Sequence, residues 1–480
     1  MVLDIRPEKV AGEHFDVVVI GSGFGSAFFL HGFAKHRRAR VLLLEWGRHN
    51  THEWQLEHGA NTDVKDEETY KSNSTKPWNY TIGLGGGTNC WFAQTPRLHP
   101  NDFRLKSRYG IGQDWPISYE DLEPFYCEAE MVMSISGDPD MAAIMPRSMP
   151  FPQPPHRMST PDRLMKAAQP DRHFVMPTAR ARIATEQRPA CCASLRCWLC
   201  PVDAKFTANN GLMHVFEHPD VSVCLGSEVR RLDHAAGSIR AVTFRHRGKE
   251  HVVTGDLFVL GANGIQSAAI MLRSDLGGEF VGRGLHESYG WSFEAYLDDV
   301  DNFDGSTITT GLNFGLYDGA HRSEYAAALV YFENRWPHGL RPEKGRLRQT
   351  LPIIVVTEDL LEPENFVSLD ENENAYITYR GPADYAVEGM ARAREKLPEL
   401  LAPLPVEKIA DRGQRRTESH VQGTLRMGTD PSNSVVDQDM IHHKLRNLVV
   451  VGTSTFGSCS CANPSLTAAA LSLRAASRIA

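Results

Sequence analysis

The stretch FDVVVIGSGFGSAFFLHGFAKHRRARVLLLEWG, residues 15 to 47, decides the class of this chain. Asp16 to Ile20 is a short apolar run rich in β-branched residues and predicts a buried strand; Val41 to Glu45 predicts a second. Between them a glycine turn opens an apolar-faced helix, which completes a strand–helix–strand unit. Gly21 permits the tight bend, Gly23 lets backbone amides approach a pyrophosphate, and the helix N-terminus supplies positive potential for it. Ser22 lies inside the same turn. Gly25 comes one place early and Ser26 stands where the G-x-G-x-x-G pattern has its third glycine, yet serine is small enough for helix and strand to pack closely. About 20 residues on, Glu45 ends the second strand, where a carboxylate accepts hydrogen bonds from a ribose diol. The unit implies an adenine dinucleotide, and phosphate contact alone does not separate FAD from NAD(P).

Working outward, GLGGGTNCW at 83 to 91 crowds four glycines between apolar and aromatic neighbours. Such a loop predicts backbone in close approach to a flat or phosphorylated group. SVCLGSEVRRL (222 to 232) and GDLFVLGANGIQSAAIMLRS (255 to 274) read as strands followed by a glycine turn and a helix, continuing the nucleotide-binding sheet after a long insertion. CCASLRCWLCP supplies Cys191, Cys192, Cys197 and Cys200. A zinc knuckle uses two spaced pairs, and only Cys197 and Cys200 qualify. An iron–sulfur cluster needs three or four convergent thiolates, which this spacing can supply. The plainest reading is reduced, buried cysteines in an irregular turn near the cofactor, and no metal ligand is assigned.

With 480 residues and 41% apolar content, the chain can bury a large core and form two or three units. No window approaches the roughly 18 apolar residues of a membrane span, and the first residues carry charges where a signal peptide has an apolar core. The nine cysteines are odd in number and clustered, unlike a disulfide frame. The expectation is a cytoplasmic protein without a membrane anchor. Net charge is −8, and KHRRAR (35 to 40) and DRGQRR (411 to 416) read as solvated surface rather than a nucleic-acid footprint. MPFPQPPHRMSTP (149 to 161) is the most linker-like stretch. His442 and His443 fall in a predicted turn and are expected to be solvated.

These blocks together resemble the glucose-methanol-choline (GMC) oxidoreductases, FAD enzymes that oxidise alcohols. The resemblance runs in order through 17 to 45, 83 to 91, LGANGIQSAAIMLRS at 260 to 274, VGRGL at 281 to 285, and the tail from His420. The tail carries H-x-x-G-T-x-R-M-G-x-D-P, then NLVVVGTSTF and ANPSLTAAAL, and is the most specific block. It is most similar to the pyranose oxidase and bacterial FAD sugar dehydrogenase branches. The resemblance implies that the tail returns to the cofactor, with His420 as general base and Asn463 as its partner, holding the substrate oxygen while hydride passes to flavin N5. Cys90 stands where pyranose oxidases have the histidine that bonds to flavin, so FAD is expected to be held without a covalent bond. Bacterial FAD glucose dehydrogenases hold a three-iron cluster with a similar adjacent-cysteine motif; here the spacing after Cys197 is one residue shorter. Gly457 replaces a frequent proline, and Cys459 and Cys461 are additions without a physical account.

The expected fold is therefore α/β, of GMC type: a Rossmann-like FAD-binding domain from 1–105, 191–290 and 415–480, and a substrate-binding domain from 106–190 and 291–414 built on an antiparallel sheet. STITTGLNFGLYDG (306 to 319) and YAAALVYFENRWPHG (325 to 339) fit strands of that sheet. Expected cofactor contacts are Gly21, Ser22, Gly23, Gly25, Ser26, Glu45, Gly86, Gly87, Asn89, Cys90, Val229, Gly261, Gly452, Thr453, Asn463, Pro464 and Thr467. The expected partner is a small carbohydrate-like alcohol, with the electron acceptor open and no nucleic acid. Two rival readings are a dehydrogenase subunit with an iron–sulfur relay, and a non-catalytic flavin- or metal-binding redox sensor.

Overall fold

The strand His14–Ile20 lies inside a seven-stranded sheet of a computed structural model that describes residues 4–194, 196–334 and 346–479. Val41–Leu44 and Lys249–Leu260 flank it, both parallel, and Val221–Cys224 extends the parallel side. Beyond Lys249–Leu260 come Ser238–His246 and Glu228–Ala235 as antiparallel neighbours. The meander leaves the C-terminal end of Lys249–Leu260 unpaired on that side, and Leu448–Val450 fills it in parallel. Val17 to Ile20, Leu42 to Leu44 and Phe258 to Leu260 are all buried, as parallel strands covered on both faces must be. The helices Phe24–His36 and Ser465–Ile479 pack closely enough that a Cβ on Gly32 would meet Ala476 at 3.0 Å.

Register decides where a ligand can sit. Ile20 pairs with Leu44 and Leu260, and Leu260 pairs with Val450, so four parallel strands end on one edge of the sheet. The residues that follow are Gly21, Glu45, Gly261 and, two places on, Gly452. In open α/β sheets the binding crevice lies at the carboxyl ends of the strands.

A second sheet of six antiparallel strands runs in the order Val406–Gln414, Tyr289–Leu297, Thr350–Thr357, Ala328–Glu333, Thr309–Asn313 and His173–Val175. Its central strands, Thr350–Thr357 and Ala328–Glu333, pair in unbroken register and alternate. Val330, Phe332, Ile353 and Val355 pack beneath the helix Asp384–Leu400 through Met390, Ala393 and Leu397. Tyr331, Glu333, Ile354 and Val356 point the other way, into a cavity shared with the first sheet's edge. The strands expected in 306 to 319 and 325 to 339 are Thr309–Asn313 and Ala328–Glu333; residues 335–339 lie outside the described residues.

A small third sheet pairs Tyr70–Ser72 in parallel with Ala375–Thr378, which pairs with Phe366–Leu369. It ties residues 70–72 to the hairpin 366–378. The stretch 149 to 161 is no free linker. His156 is buried, its ring bonded to the Arg180 carbonyl at 2.9 Å and the Ser306 hydroxyl at 3.0 Å, and Ser159 caps the helix Thr160–Ala168.

Candidate active site

The cavity between the two sheets has a backbone-built end and a side-chain-built end. At the first, glycines bring loops into contact that no side chain would allow. A Cβ on Gly21, where φ is +84°, would sit 2.7 Å from the Gly261 carbonyl oxygen. On Gly25 it would sit 2.7 Å from the Gly452 nitrogen, and on Gly86 2.8 Å from Gly23 Cα. Gly87 is different: its Cβ position meets nothing within 4 Å, so this backbone faces open cavity. Ser22 links the loops, its hydroxyl donating to Glu45 Oε2 at 2.6 Å and accepting from the Gly85 amide at 2.9 Å.

Two helix N-termini open into this space. Phe24–His36 begins after Gly23 with no side-chain cap and no acid in its first turn; Ser465–Ile479 also lacks an acid there. Gly23, Phe24 and Gly25 line the cavity at one, Asn463, Pro464 and Ser465 at the other. Each therefore presents unneutralised positive potential. Glu45 is buried, and burial pushes its carboxyl up. Its Oε2 accepts from the Ser22 amide at 3.0 Å and its Oε1 from the Gly47 amide at 3.0 Å, which leaves lone-pair capacity toward the cavity. These groups fit a dinucleotide: an anion-binding turn, a ribose acceptor, and a second positive helix end for an electron-accepting ring.

Most of the expected contacts line this wall: Gly21, Ser22, Gly23, Gly25, Glu45, Gly86, Gly87, Cys90, Val229, Gly261, Gly452, Thr453, Asn463 and Pro464. Three do not. Ser26 sits behind Gly261, Asn89 donates to the Leu84 carbonyl at 2.8 Å, and the Thr467 hydroxyl meets Tyr126 at 2.8 Å. They hold the loops rather than face the cavity. His442 departs from the solvated expectation: it is buried because its Nδ1 accepts the amides of Lys444 at 3.2 Å and Leu445 at 3.0 Å.

The loop carrying Cys90 is clamped by Lys205, whose fully buried ammonium donates to the carbonyls of Asn89 at 2.8 Å, Trp91 at 3.0 Å and Trp198 at 3.2 Å. Burial pulls it down to about 8. Of the four clustered cysteines only Cys197 is buried, beside the Arg180 guanidinium at 3.4 Å; Cys192 is exposed, against the buried reading. Among the described residues no three of His, Cys, Asp and Glu converge as a metal site.

At the other end the tail delivers His420. Glu287, buried under the loop, accepts the His420 amide at 3.2 Å and the Glu418 amide at 3.3 Å, and pairs with Lys76. Ser419 takes a left-handed φ of 59° to make the turn. The imidazole Nδ1 meets the Ser288 hydroxyl at 2.9 Å and Nε2 meets the Asn463 amide nitrogen at 3.1 Å. Because that nitrogen is a donor, the network assigns the ring proton to Nδ1 and makes Nε2 the acceptor of an Asn463 N–H, at the cavity wall. Asn463 is itself fixed: Nδ2 also donates to Gln94 Oε1 at 3.2 Å, and Oδ1 accepts from the Tyr331 hydroxyl at 3.2 Å. Burial, with Arg415 and Lys76 nearby, pulls His420 down to about 3, well below its usual range. The ring is neutral across physiological pH. Gln94, Glu287, Ser288, Tyr331 and Lys205 escape a sequence reading, since none belongs to a local pattern.

Comparison with known proteins agrees with this architecture. A family model described as GMC oxidoreductase matches residues 378–472. The fructose dehydrogenase large subunit of Gluconobacter japonicus is 27% identical, over 97% of this chain and 97% of that one. The 6'''-hydroxyparomomycin C oxidase of Streptomyces lividus is also 27% identical, over 97% of this chain and 91% of that one. Among solved structures, pyridoxine 4-oxidase from Mesorbium loti superposes with a TM-score of 0.68 at 17% identity, covering 97% of this chain and 99% of that one. Formate oxidase of Aspergillus oryzae superposes with a TM-score of 0.68 at 14% identity, covering 97% and 98%. These two show the shared fold.

Proposed function

We propose that this chain is a GMC oxidoreductase and catalyses the FAD-dependent oxidation of a carbinol to an aldehyde or ketone on a sugar, glycoside or aminoglycoside-like molecule. The single observation that carries this reading is the 3.1 Å meeting of His420 Nε2 and the Asn463 amide inside the cavity that the glycine cradle walls. FAD, when bound, supplies the acceptor for the carbinol hydride.

The chain's own residues do the rest. His420 Nε2 takes the hydroxyl proton, and the neutral ring is ready because Ser288 occupies Nδ1. A substrate hydroxyl replaces the His420–Asn463 bond, donating to Nε2 and accepting the Asn463 N–H so freed, while Tyr331 and Gln94 keep the amide oriented and the carbinol carbon positioned before reaction. Ile308, Ile354 and Val356 give the same cavity an apolar lining. Gly21 to Gly25, Glu45, Gly86 and Gly87 hold the cofactor, without a covalent bond at Cys90, whose thiol burial pushes up and keeps protonated. The nine unpaired cysteines support a reducing, cytoplasmic setting.

The test is anaerobic flavin bleaching with a panel of sugars, glycosides, aminoglycosides and simple alcohols. Carbohydrate-like alcohols should bleach the yellow protein faster than ethanol or propanol. A flavin that stays oxidised with every member would overturn the reading.

A further inference from the structure

Glu333 lines the same cavity as His420 and has no part in the chemistry above. It ends the strand Ala328–Glu333 with 3% of its surface exposed, and its Oε1 accepts from the Thr309 hydroxyl at 2.9 Å. Among the described residues it has no ion-pair partner. Glu418, another of the acids that line the cavity, is answered there by Arg415, whose Nε donates to Glu418 Oε1 at 2.6 Å. A buried carboxyl without a direct ion-pair partner is costly to ionise, and Arg180 and Arg415 answer its charge only at a distance.

Its place relative to the reacting atoms is fixed by a continuous hydrogen-bond chain. His420 Nε2 meets Asn463 Nδ2 at 3.1 Å, Asn463 Nδ2 donates to Gln94 Oε1 at 3.2 Å, Gln94 Nε2 donates to Thr309 Oγ1 at 2.6 Å, and Thr309 Oγ1 donates to Glu333. One wall thus carries a base at one end and a carboxyl at the other. A hydroxyl group on a ligand would hydrogen-bond to this carboxyl but bring no opposite charge into contact with it. An ammonium does both, with three donors and a full positive charge.

We propose that Glu333 is a specificity-determining residue that binds an ammonium group of the substrate, so that the alcohol oxidised is an amino-substituted polyol. This rests on the alcohol-oxidising reading of the same cavity. Burial holds Glu333 up, at about 7, against the pull of Arg180 and Arg415, with Asp162 adding to the rise. Glu418, with Arg415, and the neutral His420 share the same cavity. Cation binding therefore strengthens as pH rises through this value and Glu333 becomes a carboxylate, until the amine itself loses its proton.

The experiment compares glucosamine with glucose, and paromamine with its N-acetylated form, on the flavin-loaded full chain and on Glu333→Gln and Glu333→Asp. Flavin reduction gives kcat and KM, and the perturbed flavin spectrum gives binding without turnover. The amine should have a KM about tenfold or more below its uncharged counterpart, the scale of a hydrogen bond to a charged group. Glu333→Gln should raise the amine's KM about ten times more than that of the uncharged ligand, with kcat little altered, and Glu333→Asp should recover part of the loss. An equal rise for both ligands is what a merely structural role produces, and it overturns the proposal. So does a wild-type flavin bleached by neutral sugars with no preference for amines, an outcome that leaves the alcohol-oxidising reading standing. Amine binding that depends on Glu333 but bleaches no flavin would sustain the subsite and sink that reading instead.

Discussion

The two ends of the cavity are made of different material. The cradle is main chain against main chain, with Gly21, Gly25 and Gly86 each placed where a Cβ would lie under 3 Å from another backbone. The reaction end is side chain against side chain, where His420, Asn463, Gln94, Tyr331 and Ser288 hold one another by hydrogen bonds. A site made of backbone depends on shape and tolerates no added atom. A site made of side chains depends on which proton sits where, and can be retuned one residue at a time. On the proposed function, the fixed half holds the cofactor that every turnover shares, and the adjustable half meets what differs between substrates.

The largest expected effect strikes the cradle. Gly25→Ala drives a Cβ into the Gly452 nitrogen at 2.7 Å, so the chain should be recovered without flavin or fail to fold. Gly87→Ala breaks the ambiguity, since its Cβ points into open space; that variant should fold normally and lose flavin alone. Full visible absorbance in purified Gly87→Ala would mean that this loop does not face the cofactor. At the other end, Glu287→Gln should retain flavin but slow its anaerobic reduction on the order of tenfold to a hundredfold. It removes one charge from the pair with Lys76 and weakens the bonds that set the His420 loop, about 1.5–3 kcal/mol for charged hydrogen bonds. An unaltered rate would show that the loop is held by its own turn.

Smaller effects sharpen the contrast. Glu45→Ala should weaken FAD retention on dialysis while the loaded fraction reacts at nearly the normal rate, because Glu45 staples Ser22 and Gly47 far from the reacting end. Slower reduction in that loaded fraction would contradict the division between the two ends. The pH signature of His420 follows from its burial. Its folded value, about 3, lies below the ordinary 6.5, so the neutral form is favoured in the folded chain. Stability from this source is present above about 6.5 and is lost as pH falls toward 3. His420→Asn should therefore show less acid sensitivity in thermal unfolding between pH 7 and pH 4 than the parent. Parallel pH curves for the two would place His420 in water. Last, acid precipitation should release all the yellow colour as intact FAD; colour retained on a peptide containing Cys90 would make that thiol an attachment point.

The cradle is legible in the sequence because physics leaves few options there. Parallel strands ending in one register at Ile20, Leu44, Leu260 and Val450 require small residues where the chain turns back over them, and those glycines stand out as a pattern. The tail is legible through its motif, which carries His420 and Asn463 to the same cavity. What escaped is everything whose role comes from pairing between distant strands. Tyr331 and Glu333 are two residues apart on a strand whose neighbours are set only by sheet order, and Gln94 reaches Thr309 across 215 positions. Glu287 and Lys205 escape likewise, since a lone charged residue ordinarily reads as surface. His442 shows the same in reverse: a turn does house it, yet two backbone amides draw its ring inward.

The central claim is that the neutral His420 imidazole takes the proton as the carbinol hydride leaves. It is tested most directly by single-turnover anaerobic flavin reduction, using the best alcohol of the panel with hydrogen or deuterium on the carbinol carbon, in the parent and in His420→Ala at matched flavin content. The account predicts slower bleaching with deuterium in the parent, and at least about a hundredfold slower bleaching in His420→Ala, the usual scale for loss of a general base. Bleaching of His420→Ala at the parental rate would contradict it.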